Sequence, residues 1–110
     1  SSLASRTRVT ALSQQTILNN SRFFDDENTV PRHGLTLGVK TILESKHCLL
    51  LAFGFQKAHA VAATVEGPVT AMVTATALQL HERTTIVLDE LAASDLKRAD
   101  DYRWAYQHKL

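Results

Sequence analysis

Cysteine, proline and glycine are scarce in this 110-residue sequence, and long apolar runs are missing. The single cysteine, Cys48, excludes an intramolecular disulfide and a cysteine-rich metal site, which favours a reducing, cytoplasmic setting. No stretch approaches the roughly 20 apolar residues that span a bilayer, and no hydrophobic signal core begins the chain, so no membrane partner is expected. Twelve Lys and Arg residues against eleven Asp and Glu leave a net charge of +1, which excludes a nucleic-acid binder that acts through bulk charge.

The remaining composition is that of one small globular domain. Hydrophobic residues make up 45% and charged residues 21%, which argues against wholesale disorder. Because a chain of this length can bury only one core, we expect a single domain over residues 1–110.

Apolar runs of strand length predict a sheet. The run His47–Phe53 is almost wholly apolar, and Thr84–Asp89 is rich in β-branched residues and closes on a carboxylate. Both patterns are typical of strands covered on both faces, as in parallel sheets. Shorter candidates are Arg8–Leu12 and Gly34–Leu37. Four strands are few for a sheet covered on both sides, so the chain is either a very economical domain or part of a larger sheet.

Helical patterns separate these strands. The segment Ser13–Phe24 opens on a serine suited to cap a helix. The alanine-rich segment Gln56–Val65 is expected to stop at Gly67, and a third helix is expected over Ala92–Tyr106. Strands that alternate with helices form βαβ units, so the sequence predicts an α/β fold with a parallel sheet and flanking helices.

One predicted turn combines the features of an anion-binding site. A strand ends at Gly54, and Lys57 falls in the first turn of the next helix. Ligands of open parallel sheets bind beyond the carboxyl ends of the strands, where a helix N-terminus offers free N–H groups to an anion. A lysine there opposes the helix dipole, and a bound anion would offset that cost. The alternative is a solvated lysine in a surface loop.

Arg22 is the second cationic candidate. It lies beside Phe23 and Phe24, which are expected to pack inward, so its guanidinium should lie at the edge of the core. A guanidinium held there could bind a phosphate through two hydrogen bonds. The alternative, which the residues alone favour, is an arginine that lies over one of the two rings.

Other residue patterns do not indicate chemistry. There is no Walker A loop, no GxGxxG and no GxSxG elbow, and the histidines lack the spacing of a metal site. We therefore expect no metal, no cofactor and no self-contained acid–base pair within these residues. The five histidines are His33, His47, His59, His81 and His108.

Seven motifs occur in one order between Ser1 and Lys97: SSLASRTRV, NSRFFDD, LTLGVKTIL, FGFQKAHAV, VEGPV, TALQLH and IVLDE. In that order they resemble the glucosamine-6-phosphate deaminase family, also called glucosamine-6-phosphate isomerases. The resemblance implies a Rossmann-like α/β fold and a cytoplasmic enzyme that needs no redox cofactor or obligatory metal. It implies conversion of glucosamine 6-phosphate and water to fructose 6-phosphate and ammonia. It also implies that Arg22 and Lys57 grip the substrate phosphate.

The same resemblance implies a second phosphate site, which binds N-acetylglucosamine 6-phosphate as an allosteric effector in regulated members. Ser1, Ser2 and Arg8 match residues of that site, and Tyr102 lies one residue from the family's C-terminal tyrosine. Thr10 stands where the family has a lysine, so one cation of the site is missing.

The family's catalytic aspartate and histidine lie upstream of SSLASRTR, in and around a GxGxDGHIAFNEP segment, as does its Ser/Thr-rich phosphate loop. The chain therefore resembles roughly the C-terminal two-fifths of the enzyme, and it would supply a grip for the phosphate but no acid or base. We expect the C-terminal portion of a deaminase, partnered by an N-terminal half or by further copies in a homo-oligomer. The alternative is a non-catalytic remnant that binds sugar phosphates or completes a partner chain.

Overall fold

Helices and strands alternate along the described part of the chain. The structure, a computed structural model, describes residues 2–109 and, at Glu27, the backbone alone. The regular elements are β1 (Arg8–Ala11), α1 (Gln14–Asn20), β2 (His33–Thr36), α2 (Val39–Leu43), β3 (Cys48–Ala52), α3 (Ala58–Glu66), β4 (Thr84–Leu88) and α4 (Ala99–Gln107). Between them lie 3₁₀ helices over Ser21–Phe23, Glu27–Thr29, Phe55–Lys57 and Thr74–Leu80. None of the described helices is long and apolar enough to cross a membrane.

The strands form two separate pairs. β3 and β4 are parallel, with Leu51 opposite Val87, which confirms the predicted α/β class with parallel strands and flanking helices. β1 and β2 are antiparallel, with Arg8 opposite Thr36, so the expectation that they join the parallel sheet is wrong. These two strands are only four residues long and alternate between half-buried and exposed positions, a pattern that carries no information on strand direction.

Two of the predicted helix ends are confirmed by their capping bonds. The Ser13 side chain accepts the N–H of Thr16 at 3.2 Å and so caps α1. α3 ends at Glu66, just before Gly67, as predicted. The side-chain amide of Gln79 donates to the carbonyl oxygens of Thr64 and Gly67, at 2.7 and 2.9 Å. These bonds supply donors to carbonyl groups at the end of the helix, which have no partner within it.

α4 begins seven residues later than the predicted start at Ala92, because two carboxylates bind the backbone before it. Asp89 accepts the N–H of Ala92 at 2.7 Å. Glu66 accepts the N–H groups of Lys97 and Arg98, both at 2.9 Å. Side-chain acceptors of this kind hold a backbone in turns by competing with the bonds of a helix.

Few apolar side chains are buried. The buried apolar residues among those described are Val30, Cys48, Ala58, Val61, Ala77 and Ala92. The radius of gyration is 16.3 Å, whereas a compact domain of this length would have about 13 Å. The described residues therefore form an extended unit around a small core.

One face of the β3–β4 pair is open. Leu49, Leu51 and Phe53 lie 62%, 56% and 56% exposed, and Val87 on β4 is 42% exposed. The opposite face is half-buried and includes Ile86, which lines a cavity with residues of α3 and α4. The described residues thus cover only one face, although the apolar pattern is present on both, which fits the alternative that the pair is part of a larger sheet.

Candidate functional site

The turn after β3 places Lys57 at the start of a helix. Gly54 adopts a φ of +91°, in the left-handed region that glycine tolerates best. The 3₁₀ helix Phe55–Lys57 follows, and the Lys57 N–H donates to the Gly54 carbonyl at 3.1 Å. Lys57 occupies the N-cap of α3 with its side chain exposed, so it lies at the carboxyl end of a parallel strand, as the sequence predicted.

The N-terminus of α3 is electrostatically suited to an anion. The side chain of the N-cap residue, Lys57, makes no capping hydrogen bond, and the first turn contains no acidic residue. A lysine has no acceptor atom and cannot bind the N–H groups of the first turn. The helix dipole and the Lys57 ammonium therefore both favour negative charge at this position.

The carboxylate of Asp89 connects the ends of the two parallel strands. Asp89 follows β4 directly, and each of its two oxygens accepts the Gly54 N–H at 3.0 Å. The same side chain accepts the N–H of Ala92. The sequence shows a carboxylate at the end of an apolar strand, but it gives no sign that the partner lies 35 residues away.

Arg22 lies on the 3₁₀ helix Ser21–Phe23, which directly follows α1. Its guanidinium carbon lies 4.7 Å from the centroid of the Phe23 ring, the stacked arrangement that was the alternative for this residue. Phe23 is 68% and Phe24 39% exposed, so the expectation that both rings pack inward is wrong. A joint grip of Arg22 and Lys57 on one phosphate stays a prediction.

The segment that resembles the allosteric site runs into β1. Ser1 lies outside the described residues. The Ser2 hydroxyl accepts a backbone N–H two residues further on, at 3.1 Å. Arg8 is half-buried on β1 and donates to the carbonyl of Arg6 at 3.2 Å. The phosphate-binding role of these residues stays a prediction.

Ser5, in the same segment, caps α2, which the sequence analysis missed. Its hydroxyl accepts the N–H of Val39 at 3.1 Å, and its carbonyl accepts the N–H of Lys40 at 3.0 Å. Gly38 lies so close that a Cβ there would be 2.1 Å from the Ser5 carbonyl oxygen. The close approach explains a glycine in front of this helix, and only the folded chain reveals it.

Tyr102 lies on α4 and is bonded to α3. Its hydroxyl donates to Oε2 of Glu66 at 2.9 Å. The pKa of Glu66 lies below its ordinary value, chiefly because its carboxylate accepts the N–H of Lys97; burial opposes this shift, and the bonds from the Tyr102 hydroxyl and the Arg98 N–H add to it. Burial and the bond to Glu66 raise the pKa of Tyr102. The role of Tyr102 in an effector site with Ser2 and Arg8 stays a prediction.

Among the described side chains, which leave out that of Glu27, no three His, Cys, Asp or Glu residues converge as metal ligands. His81 instead joins two loops at the amino ends of the parallel strands. Its Nε2 lies 2.7 Å from the carbonyl oxygen of Ser45, and its Nδ1 accepts the N–H of Arg83 at 3.0 Å. Since a carbonyl can only accept, Nε2 is the donor in the bond to Ser45.

An open cavity of about 570 Å³ lies between α2, β3 and the 3₁₀ helix Thr74–Leu80. Its lining includes the apolar side chains of Ile42, Leu50 and Ala77, and it contains no Lys, Arg, Asp or Glu. A sugar phosphate needs charged and hydrogen-bonding partners, so this cavity does not fit such a ligand.

Comparison with known proteins gives closely similar relatives, although no family model matches the sequence. A glucosamine-6-phosphate deaminase of Streptomyces coelicolor is 58% identical over 110 residues, which are 99% of this chain and 42% of the relative. Deaminases of the same name from Bifidobacterium longum and Rhodococcus opacus are 54% and 52% identical, again over 99% of this chain and 41% and 42% of their own lengths. The chain thus spans about two-fifths of the length of these relatives.

The fold also matches a solved structure. It is that of a monomeric glucosamine-6-phosphate deaminase, with a TM-score of 0.78 and 43% sequence identity over 86% of this chain and 39% of that one. The sequence and fold agree on one family over nearly the whole chain. Over nearly its whole length the chain is thus similar, in sequence and in fold, to the C-terminal portion of glucosamine-6-phosphate deaminases.

Proposed function

We propose that these residues form part of a glucosamine-6-phosphate deaminase, which converts glucosamine 6-phosphate and water to fructose 6-phosphate and ammonia. The observation that carries this proposal is the 52–58% identity to deaminases over almost the entire chain. Because the chain spans about two-fifths of those relatives, the activity is proposed for a protein that also contains the remaining portion.

In this proposal Lys57 and Arg22 bind the phosphate of the substrate. The position of Lys57 supports it, since its ammonium and the N-terminus of α3 favour an anion at the carboxyl end of β3. Arg22 would leave the face of Phe23 and bind the phosphate through its paired N–H groups. Contacts with a group remote from the reacting carbons contribute to the rate by orienting those carbons against the base.

The proton-transfer groups belong, in this proposal, to the remaining portion of the protein. A base there moves a proton between C2 and C1 of the opened sugar through an enediol-type intermediate, and ammonia leaves from C2 after water adds. The described residues hold the phosphate end of the same substrate. We propose the cytoplasm as the compartment, in keeping with the buried free thiol of Cys48.

The proposal includes regulation by N-acetylglucosamine 6-phosphate, bound by Ser1, Ser2 and Arg8 with Tyr102. Thr10 cannot supply the positive charge of a lysine, so the effector should bind more weakly than in a member that has the lysine. A homo-oligomer is the proposed assembly, and a monomer, the state of the similar solved deaminase, is the contrasting outcome.

The test uses a completed protein, in which the remaining portion of the Streptomyces coelicolor deaminase is fused before residues 1–110. We expect it to release ammonia from glucosamine 6-phosphate and to act poorly on unphosphorylated glucosamine. The unfused Streptomyces coelicolor enzyme is the control. A completed protein that unfolds cooperatively, and is therefore folded, yet releases no ammonia would overturn the proposal. If that protein still binds glucosamine 6-phosphate, the result would favour the non-catalytic alternative.

A further inference from the structure

We propose that Asp89 is a positioning residue for the phosphate grip, acting on Lys57 through Gly54. This inference rests on the proposed function, because it assigns a role within the phosphate site. Asp89 lies at the carboxyl end of β4, and Gly54 lies beyond the carboxyl end of the neighbouring strand β3. Their bond therefore links the turn that carries Lys57 to the sheet itself.

The turn has little else to hold it. Phe55 is 68% exposed, and Gln56 and Lys57 are exposed as well, so packing contributes little to its position. In the described part of the chain, the hydrogen bonds found from residues 54–57 to a distant segment are the two that Gly54 donates to Asp89. The bonds from the Lys57 N–H to the Gly54 carbonyl and from the Ala58 N–H to the Phe55 carbonyl join residues only three apart in the chain.

The geometry suits a carboxylate in particular. The Gly54 N–H is shared by both oxygens at equal distances of 3.0 Å, while Oδ1 also accepts the Ala92 N–H at 2.7 Å. An ionised carboxylate accepts at every site, whereas an amide turns one of its two heavy atoms into a donor. In asparagine, an oxygen at the Oδ1 position could still accept both N–H groups, but the amide nitrogen would take the place of Oδ2, 3.0 Å from the Gly54 nitrogen. Two donors would then face each other, which weakens the hold on Gly54.

The dihedral angle of Gly54 supports the same reading. A Cβ at Gly54 would meet no atom within 4 Å, so glycine is required by the backbone conformation and not by space. A residue with φ of +91° persists where its surroundings hold it. The Asp89 carboxylate is the partner that holds the amide of this residue, and the direction in which the chain leaves Gly54 sets where Lys57 lies.

The experiment measures, in the completed protein, the affinity for glucosamine 6-phosphate and for glucosamine, together with amide exchange at Gly54. The variant is Asp89→Asn, and the matched control is Asp95→Asn, which removes the same charge from an exposed site. We expect Asp89→Asn to speed exchange at Gly54 and to raise KM for glucosamine 6-phosphate by about 10-fold, with kcat little changed. Asp95→Asn should change neither the exchange rate at Gly54 nor the KM for glucosamine 6-phosphate.

A double-variant comparison separates positioning from general destabilisation. In a Lys57→Ala background, Asp89→Asn should have almost no further effect on KM, because the residue that it positions is gone. If the effect of Asp89→Asn persists undiminished in that background, or if it equals that of Asp95→Asn, the inference is overturned while the proposed function stands. If the parent protein does not distinguish glucosamine 6-phosphate from glucosamine, the proposed function has failed and this inference fails with it.

Gly54→Ala provides a second variant in case Asp89→Asn does not fold. It strains the same turn through the positive φ and leaves the carboxylate of Asp89 in place. We expect a loss of affinity confined to the phosphorylated sugar. An equal loss for both sugars would contradict the inference.

Discussion

The hydroxyl of Tyr102 donates a 2.9 Å hydrogen bond to Glu66 and so joins the last helix of the chain to the end of α3. The same carboxylate accepts the N–H groups of Lys97 and Arg98. Three donors from one segment therefore converge on one side chain. α3 carries Lys57 at its start and Glu66 at its end, so the docking of α4 and the proposed phosphate grip share one helix.

This contact predicts how stability depends on pH. The pKa of Glu66 is lowered, chiefly by the N–H of Lys97, so its contribution is fully present above the ordinary value of 4.5 and is lost as pH falls through the lowered pKa. The pKa of Tyr102 is raised, first by burial and then by Glu66, so its contribution is fully present below 10.0 and is lost as pH rises through the raised pKa. Thermal unfolding of the completed protein across this range measures both effects.

Two variants assign the acid and alkaline effects. Glu66→Gln should lower the unfolding temperature at neutral pH and remove part of the acid dependence, because an amide carries no charge to lose. Tyr102→Phe should remove the alkaline loss assigned to this hydroxyl. Glu82→Gln, at an exposed position, is the matched control for charge. An acid profile of Glu66→Gln that coincides with that of the parent would refute the role given to Glu66.

The 110-residue chain alone should release no ammonia from glucosamine 6-phosphate. The proposal assigns the base to the remaining portion, and acid–base groups typically contribute about 10²- to 10⁴-fold each to a rate. A coupled ammonia assay with the purified chain measures this, with the completed protein as the positive control. Turnover within about tenfold of the Streptomyces coelicolor enzyme would place the catalytic groups in these residues after all.

The open face of the β3–β4 pair should make the isolated chain self-associate. Leu49, Leu51 and Phe53 expose a row of apolar side chains, beyond what single exposed residues on a surface would create. Light scattering should show oligomers at micromolar concentration, and Leu51→Lys should reduce them, whereas Leu35→Lys on β2, also exposed, should not. If the parent chain is monomeric at the same concentration, the prediction that this exposed apolar face drives self-association is wrong.

Sequence patterns were sufficient where the cause of the structure is local. The apolar runs predicted β3 and β4, and Ser13 predicted the start of α1, because periodicity and capping act within a few residues. They failed where the partner is distant. Asp89 bonds Gly54 across 35 residues and Glu66 bonds Lys97 across 31, and no local pattern signals either pairing. Whether a sheet face is buried likewise depends on the elements that pack on it, and the strand's own sequence does not identify them.

Arg22→Ala in the completed protein should weaken binding of glucosamine 6-phosphate by about 10- to 150-fold, the effect of losing one charge-assisted contact. Binding of glucosamine should not change. The exposed Arg32 serves as the control, since Arg32→Ala removes an equal charge from the loop that precedes β2. If Arg22→Ala reduced stability but left both affinities intact, its guanidinium would serve only to cover Phe23.

The most direct test of the phosphate grip is the ratio of affinities for glucosamine 6-phosphate and glucosamine in Lys57→Ala, measured by calorimetry on the completed protein. Lys46→Ala is the control, because Lys46 is also exposed but lies before the amino end of β3. The proposal predicts that Lys57→Ala lowers this ratio by about 10- to 150-fold while Lys46→Ala leaves it unchanged. An unchanged ratio in Lys57→Ala, with the protein folded and glucosamine 6-phosphate still bound, would contradict the assignment of Lys57 to the phosphate.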